Sequence, residues 1–141
     1  MGGKRINGRK RQFLVDTNGF LLRTLVHPAD ISDTEGGEWL LAEHHRSFPR
    51  LEFVRVDEGY KQGLCDWAAD YTTLTIEVIE KPADQKGFAV IPKRWVVERS
   101  IAWCGRNRRA SKEYERNPES SESFIYLGSI SLLLNRLHPP P

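Results

Sequence analysis

The 141-residue chain has two cysteines, Cys65 and Cys104, too far apart for a metal knuckle and too few for a disulfide framework. It has no apolar run near the ~20 residues that cross a bilayer. No signal-type apolar stretch follows its basic start. These absences predict a cytoplasmic protein with no membrane partner. His27, His44 and His45 have no Cys or acidic neighbour at zinc-ligand spacing. Nor does either charge sign dominate, with 21 Lys and Arg against 19 Asp and Glu. What is present, 39% hydrophobic and 28% charged residues, excludes a disordered tail, a collagen-like chain and a coiled-coil rod. At this length one compact domain is expected.

The near-neutral total hides a segregation. Residues 1–12 carry five cations and no acid, and residues 93–116 hold eight cations against three acids. Residues 13–92 between them are acidic, so a polyanion would be drawn to the basic stretches, and nucleic acid is the natural candidate. Solvated surface explains such runs equally well.

Phe13-Leu14-Val15 and Phe20 to Val26 flank an Asn18-Gly19 turn, the pattern of a β-hairpin that ends at His27-Pro28. Ser32 to Glu35 has capping-box spacing and predicts a short helix through Trp39, Leu40 and Leu41. Leu51 to Val56 alternates as a third strand ending at Asp57, Leu64 to Ala68 suits a helix, and Leu74 to Ile79 is a β-branched fourth strand. A polar linker from Lys81-Pro82 to Gly87 leads to a helix from about Lys93 to Cys104, with Val97, Ile101 and Cys104 on its packed face. Asn117-Pro118 starts a last helix whose buried stripe is Tyr126, Ile130, Leu133 and Leu137. The order β-β-α-β-α-β followed by helices predicts an α/β mixed sheet flanked by helices.

Two acids stand out. Asp57 closes an apolar strand, where open α/β sheets present ligand-binding groups. Glu98 lies in Arg94-Trp95-Val96-Val97-Glu98-Arg99, among apolar and basic residues. Carboxylates so placed suit divalent-metal phosphodiester chemistry. On spacing alone, a turn-capping Asp57 and an Arg94–Glu98 helical ion pair explain them as well. Trp67, Trp95 and Trp103 could stack on unpaired bases, with partial-core packing the simpler account.

Several blocks together carry a resemblance: Gly8-Arg9-Lys10-Arg11, Leu14-Val15-Asp16-Thr17, His27-Pro28-Ala29-Asp30, Val56-Asp57-Glu58-Gly59-Tyr60 and Pro92 to Arg99. Trp103, Arg106, Arg108-Arg109, Ser111-Lys112, Tyr114-Glu115 and Pro118 to Glu122 follow in the same order. In these the chain closely resembles the C-terminal part of bacterial insertion-sequence DDE transposases, departing at Cys104 and Asn107. The resemblance implies a ribonuclease H-like fold in which two Asp and one Glu bind two Mg²⁺ or Mn²⁺ ions and cut and join DNA. It assigns the second Asp to Asp57, in an Asp-x-Gly-Tyr block with Gly59 and Tyr60, and the Glu to Glu98, four residues after Arg94. DNA-binding or orienting roles then fall to Arg94, Arg99, Lys10, Arg11, Arg106, Arg108, Arg109 and Lys112.

The family's first Asp lies on a central strand upstream of Gly8, and this sequence has no Asp before Asp16. The expectation is therefore one partial catalytic domain over 1–141, lacking the first strand, with a basic arm over 1–12 and C-terminal helices over about 93–138. The resemblance further implies a nucleoid-associated bacterial protein acting on insertion-sequence ends and target DNA, as a homodimer on paired ends. The alternative is a non-catalytic DNA-binding remnant or interaction module.

Overall fold

A computed structural model describes residues 8–60, 63–80 and 94–141, with Arg94 described by its backbone alone. The linker from Lys81 to Gly87, and Pro92 and Lys93, lie outside the described residues. The fold is α/β and divides into two compact units, Asp30–Pro92 and the pair of segments Met1–Ala29 and Lys93–Pro141.

In the two-segment unit, β1 (Arg9–Val15) and β2 (Leu21–Pro28) form the expected antiparallel hairpin, with Phe13 opposite Thr24 and Arg11 opposite Val26. The turn holds because the Asp16 carboxylate accepts the N–H groups of Asn18 and Phe20, while Gly19 takes φ 86°, a conformation that favours glycine. Strand pairing begins at Arg9, so Arg9, Lys10 and Arg11 belong to the sheet and not to a free arm. The charges of Arg9 and Arg11 are met by carbonyls of the 110–116 segment, so they do not prevent pairing with β2.

The helices α4 (Arg94–Arg106) and α5 (Pro118–Leu137) complete this unit. Its core is Val26, Ala110 and Ile125, packed by Phe13, Leu21 and Cys104, and burial pushes the Cys104 thiol up despite nearby Arg11. The most buried residues of α4 are Val96 and Ser100; of the expected Val97–Ile101–Cys104 face, Cys104 packs on the core and Ile101 is half-exposed, which corrects that part of it. The rotation follows from contact with the turn: the Ser100 hydroxyl donates to the Gly19 carbonyl. On α5 the buried residues are Ser121 and Ile125, whereas Ile130 is 50% and Leu137 73% exposed. Of the expected stripe, Tyr126 and Leu133 are part-buried while Ile130 and Leu137 face outward.

The outer edge of β2 is closed by side chains of α5. Thr24 N–H donates to the Tyr126 hydroxyl at 2.9 Å, and Val26 N–H to Glu122 Oε1 at 2.7 Å. An edge covered in this way cannot template another strand. Glu122→Ala would leave a buried donor unsatisfied, so urea unfolding should show a loss of about 1–3 kcal/mol. An unchanged midpoint would contradict the assigned role.

In the other unit, Ser32 caps α1 (Asp33–Leu41) by accepting Glu35 N–H at 3.1 Å, as expected. A left-handed Glu43 then leads to the short α2 (His44–Ser47), which the sequence pattern did not announce. The strands β3 (Phe53–Asp57) and β4 (Thr75–Ile79) pair in parallel, joined through α3 (Gly63–Tyr71). A parallel pair requires such a crossover. Leu40, Leu41, Val54, Leu64, Ala68 and Leu74 form the buried apolar set here. The described strands thus make two two-stranded sheets, one antiparallel and one parallel.

Candidate metal and DNA site

Asp57 ends β3 and is followed at once by a 3-10 turn, Glu58–Tyr60. One carboxylate oxygen, Oδ1, accepts Gly59 N–H at 3.0 Å, which fixes the side chain, and the carboxylate is exposed. The sequence argument missed a second acid here. A Cβ at Gly59 would lie 3.1 Å from Asp57 Oδ1 and 3.5 Å from Asp33 Oδ2. A side chain at position 59 would thus crowd the Asp57 carboxylate, and the Asp33 carboxylate lies in contact range of the same point. Asp33 had been read only as part of a helix cap, and no sequence spacing links it to Asp57.

Glu98 lies exposed on α4, one turn before Ala102 and one turn after the start of the helix. Arg94 opens the same helix, which places it four residues before Glu98 as the sequence required. Asp57 and Glu98 belong to different compact units. Among the described residues no group of three or more His, Cys, Asp or Glu side chains is placed to hold a metal.

The expected DNA-contacting cations divide into two sets. Arg11 is spent inside the fold: its guanidinium donates to the carbonyls of Ala110 and Lys112 and approaches Glu113 at 3.5 Å. Arg9 likewise holds the carbonyls of Glu115 and Arg116. Arg99 donates to the Asn18 carbonyl and lies between the rings of Trp95 and Trp103, 4.5 and 4.8 Å from their centroids. Arg109 pairs with Glu115 at 2.8 Å and covers Phe124. Packing engages Arg9, which was not in the expected set, and three that were, Arg11, Arg99 and Arg109, and residue counting could not foresee it. Lys10 is half-buried on β1. Arg106, Arg108 and Lys112 are exposed, and among the described residues their side chains have no hydrogen bond or ion pair.

Trp103 is partly buried and stacks on Phe20 at 5.9 Å, and Trp67 is partly buried beside Tyr71. Trp95 is half-exposed. His27 is buried, its Nδ1–H donating to the Pro28 carbonyl and its Nε2 facing the Gln12 amide.

The family model of the transposase DDE domain matches residues 1–134. The chain belongs to the DDE transposase family. A relative from Burkholderia cepacia, named as a transposase for insertion sequence element IS402, is 28% identical over 144 residues. That match covers 92% of this chain but 64% of the relative, so the chain spans less than two thirds of that protein's length. No solved structure matches. Among the described residues no helix is long and apolar enough to cross a membrane.

In this DDE transposase chain, packing beneath the Asp57 turn explains the Gly-Tyr of its block. Tyr60 lies against Gly37 of α1, where an added Cβ would meet the ring at 3.1 Å and Leu64 at 3.2 Å. Gly37→Ala would gain about 1 kcal/mol of helix propensity. Overpacking at two rigid neighbours costs about 1–3 kcal/mol, which is the larger effect. Thermal denaturation should show a lower Tm; a higher one would mean that Tyr60 is free to move aside.

Proposed function

We propose that this chain is part of a ribonuclease H-like DDE catalytic domain that performs metal-dependent DNA strand cleavage and strand transfer. Asp57 and Glu98 supply two of its carboxylate ligands. The observation that carries the reading is Asp57 itself, an exposed carboxylate fixed by Gly59 N–H at the carboxyl end of a parallel strand pair, in a chain of this family. Exposed carboxylate oxygens suit Mg²⁺ or Mn²⁺, hard cations that take oxygen donors and keep open positions for phosphate. When bound, such ions activate water or a DNA 3′-hydroxyl and stabilise the leaving oxygen.

The chain's own residues position and attract. Arg94 orients Glu98 or meets a phosphate one helical turn away. Arg106, Arg108 and Lys112 form the DNA-facing set, and Arg99 stiffens the helix that carries Glu98 by bracing it against the Asn18 turn. The family's first Asp has no counterpart here, since the sequence has no Asp before Asp16, and the reading includes a homodimer on paired DNA ends.

Mn²⁺ titration of the purified chain followed by electron paramagnetic resonance tests it. Bound Mn²⁺ that is lost in Asp57→Asn is the expected result. Wild-type protein that leaves all Mn²⁺ free, yet binds DNA with steep salt dependence, would replace this reading with the non-catalytic DNA-binding module.

A further inference from the structure

Residues 112–116 read Lys-Glu-Tyr-Glu-Arg, a run whose charges cancel in the sequence and separate in the fold. The acids turn toward their own unit. Glu113 meets Arg9 at 3.2 Å, approaches Arg11 at 3.5 Å and accepts the Ser121 hydroxyl at 3.0 Å. Glu115 pairs with Arg109 at 2.8 Å, and the two acidic side chains are only 30% and 15% exposed. The residues between and beside them face solvent. Lys112, Tyr114 and Arg116 are exposed, Tyr114 at 54%, and among the described residues their side chains have no hydrogen bond, ion pair or ring contact. The alternation thus presents a cation, an aromatic ring and a cation on one side.

The backbone beneath this face is fixed. Arg11 donates to the carbonyls of Ala110 and Lys112, and Arg9 to those of Glu115 and Arg116. In a planar trans peptide the N–H points opposite to the C=O, so the N–H groups of Glu113, Arg116 and Asn117 point away from these guanidiniums. None of the three has an acceptor among the described residues. With both acids neutralised from below, two exposed cations and these donors favour an anion, while the ring between the cations offers a flat surface for stacking. That pairing of features suits a single nucleic-acid strand, whose phosphates meet cations while its bases stack on aromatic side chains. A duplex keeps its bases stacked inside and would use the cations alone.

We infer that Lys112, Tyr114 and Arg116 form a contact for one unpaired DNA strand, with a base on Tyr114 and the flanking phosphates on Lys112 and Arg116. The inference rests on DNA being the substrate, as proposed above, and adds the form of that DNA and two residues, Tyr114 and Arg116, that meet it. Because Arg9 and Arg11 order the backbone in advance, little further ordering opposes binding.

Fluorescence anisotropy of the full chain in EDTA, with a labelled single-stranded oligonucleotide and with a blunt duplex of the same sequence, tests it. No metal is involved, so its failure leaves the Mn²⁺ experiment untouched. Tyr114→Ala should weaken single-strand binding about fivefold or more, the low end for one lost base stack, and leave duplex binding within about twofold. Tyr114→Phe keeps the ring and should bind the single strand like the wild type. Arg116→Gln should weaken binding of both forms and shrink the single-strand slope of log affinity against log salt by about 0.7. Circular dichroism and urea midpoints of the three variants should match the wild type, since the altered side chains have no partner within the described residues. A Tyr114→Ala chain that binds the single strand as the wild type does, or loses duplex binding to the same extent, overturns the inference. Wild-type chain that binds the duplex but not the single strand overturns it and leaves the proposed function standing, whereas a chain that binds neither form overturns both.

Discussion

Glu98→Gln should change DNA affinity in opposite directions depending on whether a divalent cation is present. Without metal, Glu98 is one exposed negative charge on a helix that also carries Arg94, Arg99 and Arg106. Removing it lessens repulsion of the phosphate backbone, and an exposed, salt-screened charge interaction is worth about 1 kcal/mol or less. In EDTA the variant should therefore bind DNA as well as the wild type or up to about fivefold tighter. On the proposed function, the same substitution with Mn²⁺ present removes an oxygen ligand. Losing even an outer-shell partner costs about 10–100-fold in metal affinity, so loss of a direct ligand should cost at least about 100-fold. The cation bridge to phosphate goes with it, and DNA binding in Mn²⁺ should fall. Titrating labelled insertion-end DNA in the two buffers reads both signs. A purely structural Glu98 would give the same small shift in both, and that result would remove it from the metal site.

The sequence made much of the local structure legible because short-range signals agreed with tertiary packing. The Asn18-Gly19 turn, the Ser32 cap, the β-branched fourth strand and the Asn117-Pro118 start all appear where turn chemistry and capping place them. Faces of helices were less legible. Val97–Ile101–Cys104 and Ile130–Leu137 satisfy the helical period, but periodicity ranks stripes by hydrophobicity alone. The packed stripes contain Ser100 and Ser121, whose small side chains let α4 and α5 approach the turn and the hairpin. Within the site, the end-of-strand position of Asp57 was readable from Val56-Asp57-Glu58-Gly59. Asp33, 24 positions away by sequence number, was not, since only the fold sets it against Gly59.

Arg11→Ala should cost stability and leave the salt dependence of DNA binding unchanged, the reverse of what its place in a basic run suggests. The guanidinium crosses from β1 to the segment after α4, where it donates to two carbonyls, those of Ala110 and Lys112. Ala110 is 2% exposed and belongs to the core, so that segment is a seat for the core as well as a connection. Hydrogen bonds to charged groups are worth about 1.5–3 kcal/mol each, and the Glu113 contact at 3.5 Å adds little at the surface. The bond to Lys112 is solvent-exposed and counts for less than the part-buried one to Ala110, so a loss of about 2–4 kcal/mol follows, a large share of the 5–15 kcal/mol that holds a typical domain together. Arg108→Ala should do the opposite: its exposed side chain should contribute nothing measurable to unfolding, while the slope of log affinity against log salt should shrink by about 0.9 if it meets one phosphate. Urea unfolding and salt-dependent DNA titration of the two variants separate the roles. If Arg11→Ala unfolds at the wild-type midpoint and flattens the salt slope, β1 presents its cations to DNA, and the clamp on the 110–113 segment is dispensable. If Arg108→Ala leaves the slope intact, the DNA-facing set must be sought elsewhere on the chain.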